Sequence, residues 1–524
     1  MESDNAFPNS RLSPPTAQFA RILLDSPRVW IVLAGIVCLL LTGLTRFLKL
    51  SMRKRLKLKN MVLADEVSGP GARALEYCYH PREVMLKGYK QFGDEVYGMD
   101  TRDGTKVVIP PSFLDDLKSH PHLSFKLSID NDMQTKYTYF GGPPEHVIHA
   151  VKGGMTALLP AYTPILHKMV QENMPQMLGR YGDWTKVKVH DHILRLTGTN
   201  NARVFQSTAA SLDDEWVAAS TAYVVTTFDC IKALKEWPPF LRPIVYRLIP
   251  ERAAIKEQWR IGRKRVSQSL LQRQRKGCNL EEPPSMLDLL SSGKNEQFAT
   301  DIEKQLLYQM TLVAVGTVTT FSSIIQAIYD LVAHPDYIPA LREELRSVPR
   351  NDDGTFNKES ISAMKKLDSF IKESQRLSAP DLSTFQRGAT EDLVLPDGTF
   401  VPKGTKLEVN TASIHVDEKH YENPLQFDGL RYYKMRQRPG EENKHLYYSV
   451  GKNDLSFGYG RHACPGRYLG HLNIKLVLAE LLVNYDLKLV PGQSRAKNFD
   501  FEALSSPDAD YEILLKSREP GSSI

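Results

Sequence analysis

The chain has 524 residues, 42% hydrophobic and 24% charged, with a formal net charge of +6. That length allows a large core, the ordinary composition excludes wholesale disorder, and so mild a charge gives no ground for a nucleic-acid partner. Five scattered cysteines (Cys38, Cys78, Cys230, Cys278, Cys464) without a CxxC spacing exclude a disulfide framework and a thiolate zinc site.

From the N-terminus, residues 1–28 read as a short lumenal tail, followed by seventeen uncharged residues, 29–45, between Arg28 and Arg46. Seventeen is the lower limit for a bilayer span, and the flanking arginines can snorkel to the interfaces. Arg46, Lys49, Arg53, Lys54, Arg55, Lys57 and Lys59 follow. The positive-inside rule keeps this side in the cytosol. A cleaved signal peptide fits poorly, because the run is too long and no small-residue cleavage site follows it. The expectation is a retained single-pass anchor in the endoplasmic reticulum membrane, with a basic segment and connector over 46–89. The catalytic body, 90–524, lies on the cytosolic side and carries no comparable apolar stretch.

Within that body, EVYGMDTRDGTKVVIPP (95–111) predicts a hairpin across a polar, Gly-containing turn. A mainly helical pattern fills 112–290, punctuated at GGPP (141–144) and EWPP (236–239). A long helix is expected from about Asp301 to His334, stopped by Pro335; its centre, LVAVGTVTTFSS, is apolar nearly all round and so runs through the interior. Another helix covers Glu359 to Leu377. Short strands follow in TFQRGA, in DLVLPDGTFVP with a turn at Asp397–Gly398, and in TKLEVN. Residues 418–456 are irregular, and a last helix begins at Pro465 and runs to about Val483. The fold class is mainly α with small β-sheets (α+β), without internal repeats.

Cys464 sits in FGYGRHACPGRYLG, just ahead of that last helix. Free N–H groups and the helix dipole favour a thiolate there. The glycines let the main chain bend tightly and approach a flat ligand. Such a thiolate serves as a nucleophile, with His462 as a poorly placed base, or as an axial metal ligand.

FGYGRHACPG resembles the haem-binding loop of cytochromes P450, F-x-x-G-x-R/H-x-C-x-G, at Phe457, Gly460, His462, Cys464 and Gly466. The resemblance implies Cys464 as the proximal ligand of haem b iron, pushing electron density toward oxygen. It implies His462, where Arg is commoner, and Arg387, on the strand after the Glu373 helix, as propionate contacts. Glu373 and Arg376 match the family's ExxR, and NPLQFDGLRYY supplies Arg431 as the third member of a structural triad fixing the Cys464 loop. VGTVTT (315–320) is similar to the oxygen-site motif of the long helix. Gly316 and Thr319 match it as catalytic positions, whereas Val315 replaces a small residue and Val318 the usual acid. His149 and Lys152, in a region where the family has Trp and Arg, are left out of the site.

The resemblance covers about 90–515, and HVDEKHYENPLQFDGLRYY is similar to fungal microsomal members in particular. It implies a membrane-anchored haem-thiolate monooxygenase that inserts one atom of O2 into an apolar small molecule. The substrate is expected between the long helix and loops near Pro380–Phe385 and Ser505–Pro507, and secondary-metabolite (terpenoid or alkaloid) biosynthesis is the expected setting. Electrons would come from NADPH through a separate cytochrome P450 reductase, with cytochrome b5 as a further donor. A basic face around Lys452, Arg461 and Arg467 is the expected dock for the acidic reductase. The alternatives are a haem-thiolate isomerase or dehydratase needing no reductase, and a non-catalytic haem-binding membrane protein.

Overall fold

Helices dominate 112–290, as the apolar pattern predicts. In chain order those that build the site are α1 (Phe125–Asp132), α2 (Thr156–Leu178), α3 (Val189–Phe205), α4 (Asp214–Lys235), α5 (Glu251–Lys276), α6 (Ile302–Ala333), α7 (Lys358–Ala363), α8 (Lys365–Leu377) and α9 (Arg467–Asn484). The computed structural model describes residues 56–62, 69–276 and 282–519, together with Gly35. Apart from Gly35, the expected membrane segment 29–45 lies outside the described residues. Lys57–Ile524 folds as one compact unit.

α6 starts where expected, because the Asp301 side chain accepts from the Lys304 N–H, and it ends at Ala333 before Pro335. It is the axis of the fold, packing against α3, α4, α5, α8 and α9. The expectation that no apolar stretch after residue 45 rivals the anchor does not hold. α4 and α6 are both long and apolar enough to cross a membrane, but 72% of the α6 window is buried inside the protein. Burial within a core, not within lipid, explains that composition.

The single helix expected over 359–377 is broken at Met364 (φ −73°, ψ 69°). Glu344, from the preceding helix, accepts the N–H groups of Lys366 and Leu367 at 2.6 and 2.9 Å and so caps a new start. The last helix likewise begins at Arg467, after Gly466, and not at Pro465.

The strands are few and short. The expected hairpin is present as β1 (Tyr97–Thr101) and β2 (Gly104–Val108), turning over Arg102 and Asp103. With β3 (Leu123–Ser124), β5 (Thr384–Ala389) and β8 (Lys406–Val409) they form a mixed sheet of order β1-β2-β8-β5-β3. A second sheet has the order β4-β12-β9, from β4 (Thr185–Val187), β9 (Tyr485–Leu489) and β12 (Ile513–Ser517). Two hairpins complete the described strands: β6–β7 (Leu393–Val394, Phe400–Val401) and β10–β11 (Asn498–Phe501, Leu504–Pro507). Gly398 has φ +86°, as the turn at Asp397–Gly398 requires.

Between the mixed sheet, α1, α4 and the β10–β11 hairpin lies a buried network of charges. Lys106 meets Glu408 at 2.9 Å, Lys406 meets Asp132 at 2.6 Å, and Lys235 meets Asp103 at 3.3 Å and also Glu502. Arg242 closes on Asp103. Four cations thus face four carboxylates, which is what makes their joint burial tolerable. Asp103, Asp132 and Glu502 bring oxygens within 4.8 Å of one another, a spacing a metal ion would use, but the Lys235 ammonium already bridges all three.

Candidate functional site

α8 organises the loop that carries Cys464. Its buried face reaches four downstream stretches through Asp368, Lys372, Glu373 and Arg376. Glu373 takes a two-pronged pair from Arg376 (2.9 and 2.7 Å), Arg431 Nε at 3.2 Å and the Asp428 N–H at 3.0 Å. Arg376 also donates to His415 O and Pro424 O. Lys372 bonds Leu446 O and Asp454. The triad expected from the sequence is therefore assembled, and every Glu373 oxygen is occupied.

Asp368 was not found by sequence reasoning. It accepts the Tyr447 N–H at 2.9 Å and meets His471 at 2.7 Å and Lys475 at 2.9 Å, both on α9. Burial opposes its charge, but Lys475 and His471 hold the carboxyl well below the usual carboxylate range. The i, i+4 spacing of His471 and Lys475 was visible in the sequence; a partner 103 residues upstream was not.

Within the loop, Cys464 N–H donates to Phe457 O at 2.8 Å, closing the segment end to end, and Arg467 Nη1 donates to Cys464 O at 2.7 Å. Gly458 and Gly460 both have φ +70°, and a Cβ on Gly460 would stand 2.7 Å from Lys118 Cβ. The Phe457 ring lies edge-on to Tyr447. The Cys464 side chain is enclosed by protein yet keeps accessible surface, so it faces an internal space. Burial raises its thiol pKa, while the N–H groups of Gly466 and Arg467 and the Arg467 charge oppose that rise. Because α9 starts at Arg467, those two N–H groups are free to point at sulfur.

α6 offers a matching wall. Val315, Gly316, Val318, Thr319 and Ser323 keep accessible surface in the otherwise buried middle of the helix, and Val315 is 36% exposed. Residues three and four apart share one face, so the openings form a stripe. Thr319 Oγ1 donates back to Val315 O at 3.0 Å. At Gly316 a Cβ would meet Phe205 Cζ at 2.9 Å, so close approach of α3 is reason enough for glycine there. Val318 packs against the core and carries no proton.

Arg387 and His462 mark one edge. β5 carries an extra residue between Thr384 and Arg387, with Phe385 at φ +51°, and this bulge sets the face on which Arg387 lies. Its guanidinium sits 4.1 Å over the Phe385 ring, and Nη2 is buried without a hydrogen-bond partner among the described residues. Burial, with Arg461 adding, lowers it to about 10. The His462 ring stacks on Phe125, and burial with Arg387 and Arg461 brings it down to about 4. A buried cation with an idle donor suits an anionic edge. Together with the Cys464 sulfur and the open stripe on α6, these residues fit a flat, carboxylate-edged prosthetic group of the haem type.

The expected basic docking face is only partly present. Lys452 pairs with Asp115 at 2.6 Å and Arg467 turns inward to Cys464 O, which leaves Arg461 as the exposed cation of the three.

A family model described as Cytochrome P450 matches residues 158–515. Among curated relatives, cytochrome P450 monooxygenase AN1598 of Emericella nidulans is 31% identical over 443 residues, 82% of each chain. Cytochrome P450 monooxygenase olcJ of Penicillium canescens is 31% identical over 459 residues, 85% of each chain. Among solved structures, retinoic acid-bound cyanobacterial CYP120A1 superposes with a TM-score of 0.66 at 18% identity, covering 89% of this chain and 100% of that one.

Proposed function

The chain belongs to the cytochrome P450 family and is an oxygenase of the haem-thiolate type, and on that premise we propose that Cys464 is the axial ligand of its haem iron. The observation carrying this reading is the loop closed by Cys464 N–H to Phe457 O, which holds an enclosed sulfur at the N–H groups of Gly466 and Arg467. Bound there, haem supplies the activation of dioxygen that lets one oxygen atom enter a C–H bond. Arg387 and His462 would hold its carboxylate edge, and Phe457 and Gly460 would shape the loop that presents Cys464 to it. Glu373, Arg376 and Arg431 act through the loop and are positioning residues.

Thr319 is the proton-handling group of the α6 wall. With its own proton given to Val315 O, the hydroxyl keeps lone pairs free to hold a water at the open face. Because Val318 cannot relay protons, Thr319→Ala is expected to lower product formed per NADPH by about tenfold or more, with substrate affinity kept. Product and NADPH counted in one assay check this.

The apolar openings at Val315 and Val318 support a largely apolar substrate, and the fungal monooxygenase relatives support secondary metabolism, with a terpenoid or alkaloid as its class. Segment 29–45 is the proposed anchor in the endoplasmic reticulum membrane, with NADPH–cytochrome P450 reductase, and cytochrome b5 as a second donor, on the cytosolic side. The test is the absorption spectrum of the reduced protein under carbon monoxide. A strongly red-shifted Soret band is expected, and a band typical of histidine-ligated haem would overturn the assignment of Cys464. Turnover without NADPH or reductase would instead favour the isomerase reading that Val318 suggests.

A further inference from the structure

Asp381 differs from the other carboxylates of the interior. Asp103, Asp132, Glu408 and Glu502 share four cations, Asp368 has Lys475 and His471, and Glu373 has two arginines. No hydrogen-bond donor or cation among the described residues meets the Asp381 carboxylate.

Its backbone is nonetheless firmly held. Ser505 N–H donates to Pro380 O at 2.8 Å, Leu382 N–H donates to Ala503 O at 2.7 Å, and Asp381 itself bridges Leu504. Ala379, Leu382 and Ser383 on either side are buried, whereas Asp381 is enclosed by protein yet keeps accessible surface. β11 packs on α6, and Asp381 is bridged to Leu504 of β11, so its accessible surface lies beside the α6 wall. Burial alone pushes it up to about 6.

We propose that Asp381 determines substrate specificity by receiving a hydrogen-bond donor, a hydroxyl or a protonated amine, from an otherwise apolar substrate. The inference rests on the haem-thiolate reading of this cavity. The α6 wall supplies no charged acceptor. Val315 and Val318 are apolar, and Thr319, whose oxygen can accept but whose proton goes to Val315 O, is neutral and offers no charge to an ammonium. A substrate without a donor would leave a carboxyl desolvated and unpaired, and sites built around such groups reject donor-free analogues strongly. One fixed polar contact also orients the ligand, and so selects which carbon is presented for oxidation.

The experiment uses the haem-loaded full chain and three probes that share a decyl chain: decan-1-ol, its methyl ether, and N,N-dimethyldecylammonium. Dissociation constants are measured by equilibrium dialysis, independently of turnover, for wild type, Asp381→Asn and Asp381→Leu. Wild type is expected to bind the alcohol and the ammonium about tenfold or more tighter than the ether. Asp381→Leu should bring the three constants together, and Asp381→Asn should weaken the ammonium while sparing the alcohol. Equal constants in wild type, or preferences that survive in Asp381→Leu, would overturn the proposal. The carbon monoxide spectrum of the same samples separates two failures. If the thiolate signature is missing, the reading of the cavity falls; if it is present alongside equal constants, only the role of Asp381 falls.

Discussion

Cys464→Ser is expected to reduce oxygenation to background and to remove the red-shifted Soret band of the reduced, carbon monoxide-bound protein. A serine hydroxyl occupies nearly the same volume and still receives the Gly466 and Arg467 N–H groups. It remains protonated where a thiol, favoured by those donors and by Arg467, gives up its proton to a metal. The fold should survive, because the loop is closed through the backbone, by Cys464 N–H to Phe457 O and Arg467 to Cys464 O. The variant is therefore expected to keep its melting temperature before haem loading and lose only the ligand chemistry. Cys230→Ser is the matched control. Cys230 is buried, with its thiol pushed up to about 12 by burial, and its replacement should leave the spectrum unchanged. Retention of the red-shifted band in Cys464→Ser would disprove the assignment.

Glu373→Ala is expected to be the most destabilising single change in the described chain. Glu373 is fully buried and accepts from Arg376, Arg431 and the Asp428 N–H. Its removal strands two guanidinium groups, Arg376 buried and Arg431 mostly so, at a cost of about 3–5 kcal/mol. That is a large share of the roughly 5–15 kcal/mol that holds a domain together. The damage is directional, since Arg376 and Arg431 hold His415 O, Pro424 O and Glu422 O in the segment leading to the Cys464 loop. Low yield of haem-loaded protein and a depressed thermal midpoint are the expected readouts. Glu373→Gln keeps the shape and loses the charge, so it should fall between wild type and alanine. A Glu373→Ala protein that loads haem and melts like wild type would remove Glu373 from its positioning role.

Much of this site was legible in the sequence because it is written in local spacing. The Cys464 loop, the i, i+3 pair Glu373–Arg376 and the Asp301 and Pro335 ends of α6 each lie within a few residues, and each stands where the pattern placed it. What escaped was set by distant partners. The break at Met364 comes from Glu344, an acceptor 22 residues before the Lys366 N–H it caps. Asp368 looked like one more helix carboxylate until α9 brought His471 and Lys475 to it. Lys452 read as a free cation, and Asp115, from the other end of the chain, neutralises it. The loop near Pro380–Phe385 was expected beside the substrate, but no spacing within it marked Asp381; its lack of a partner in three dimensions does.

The buried network also bears on chain length. Its members run in order from Asp103, Lys106 and Asp132 through Lys235, Arg242, Lys406 and Glu408 to Glu502. A polypeptide terminated before residue 502 would bring four cations and three carboxylates into a space that balances only at four and four, leaving a buried positive charge without its counterpart. Such products should fail to close, because a residue made late is needed to neutralise charges laid down hundreds of residues earlier.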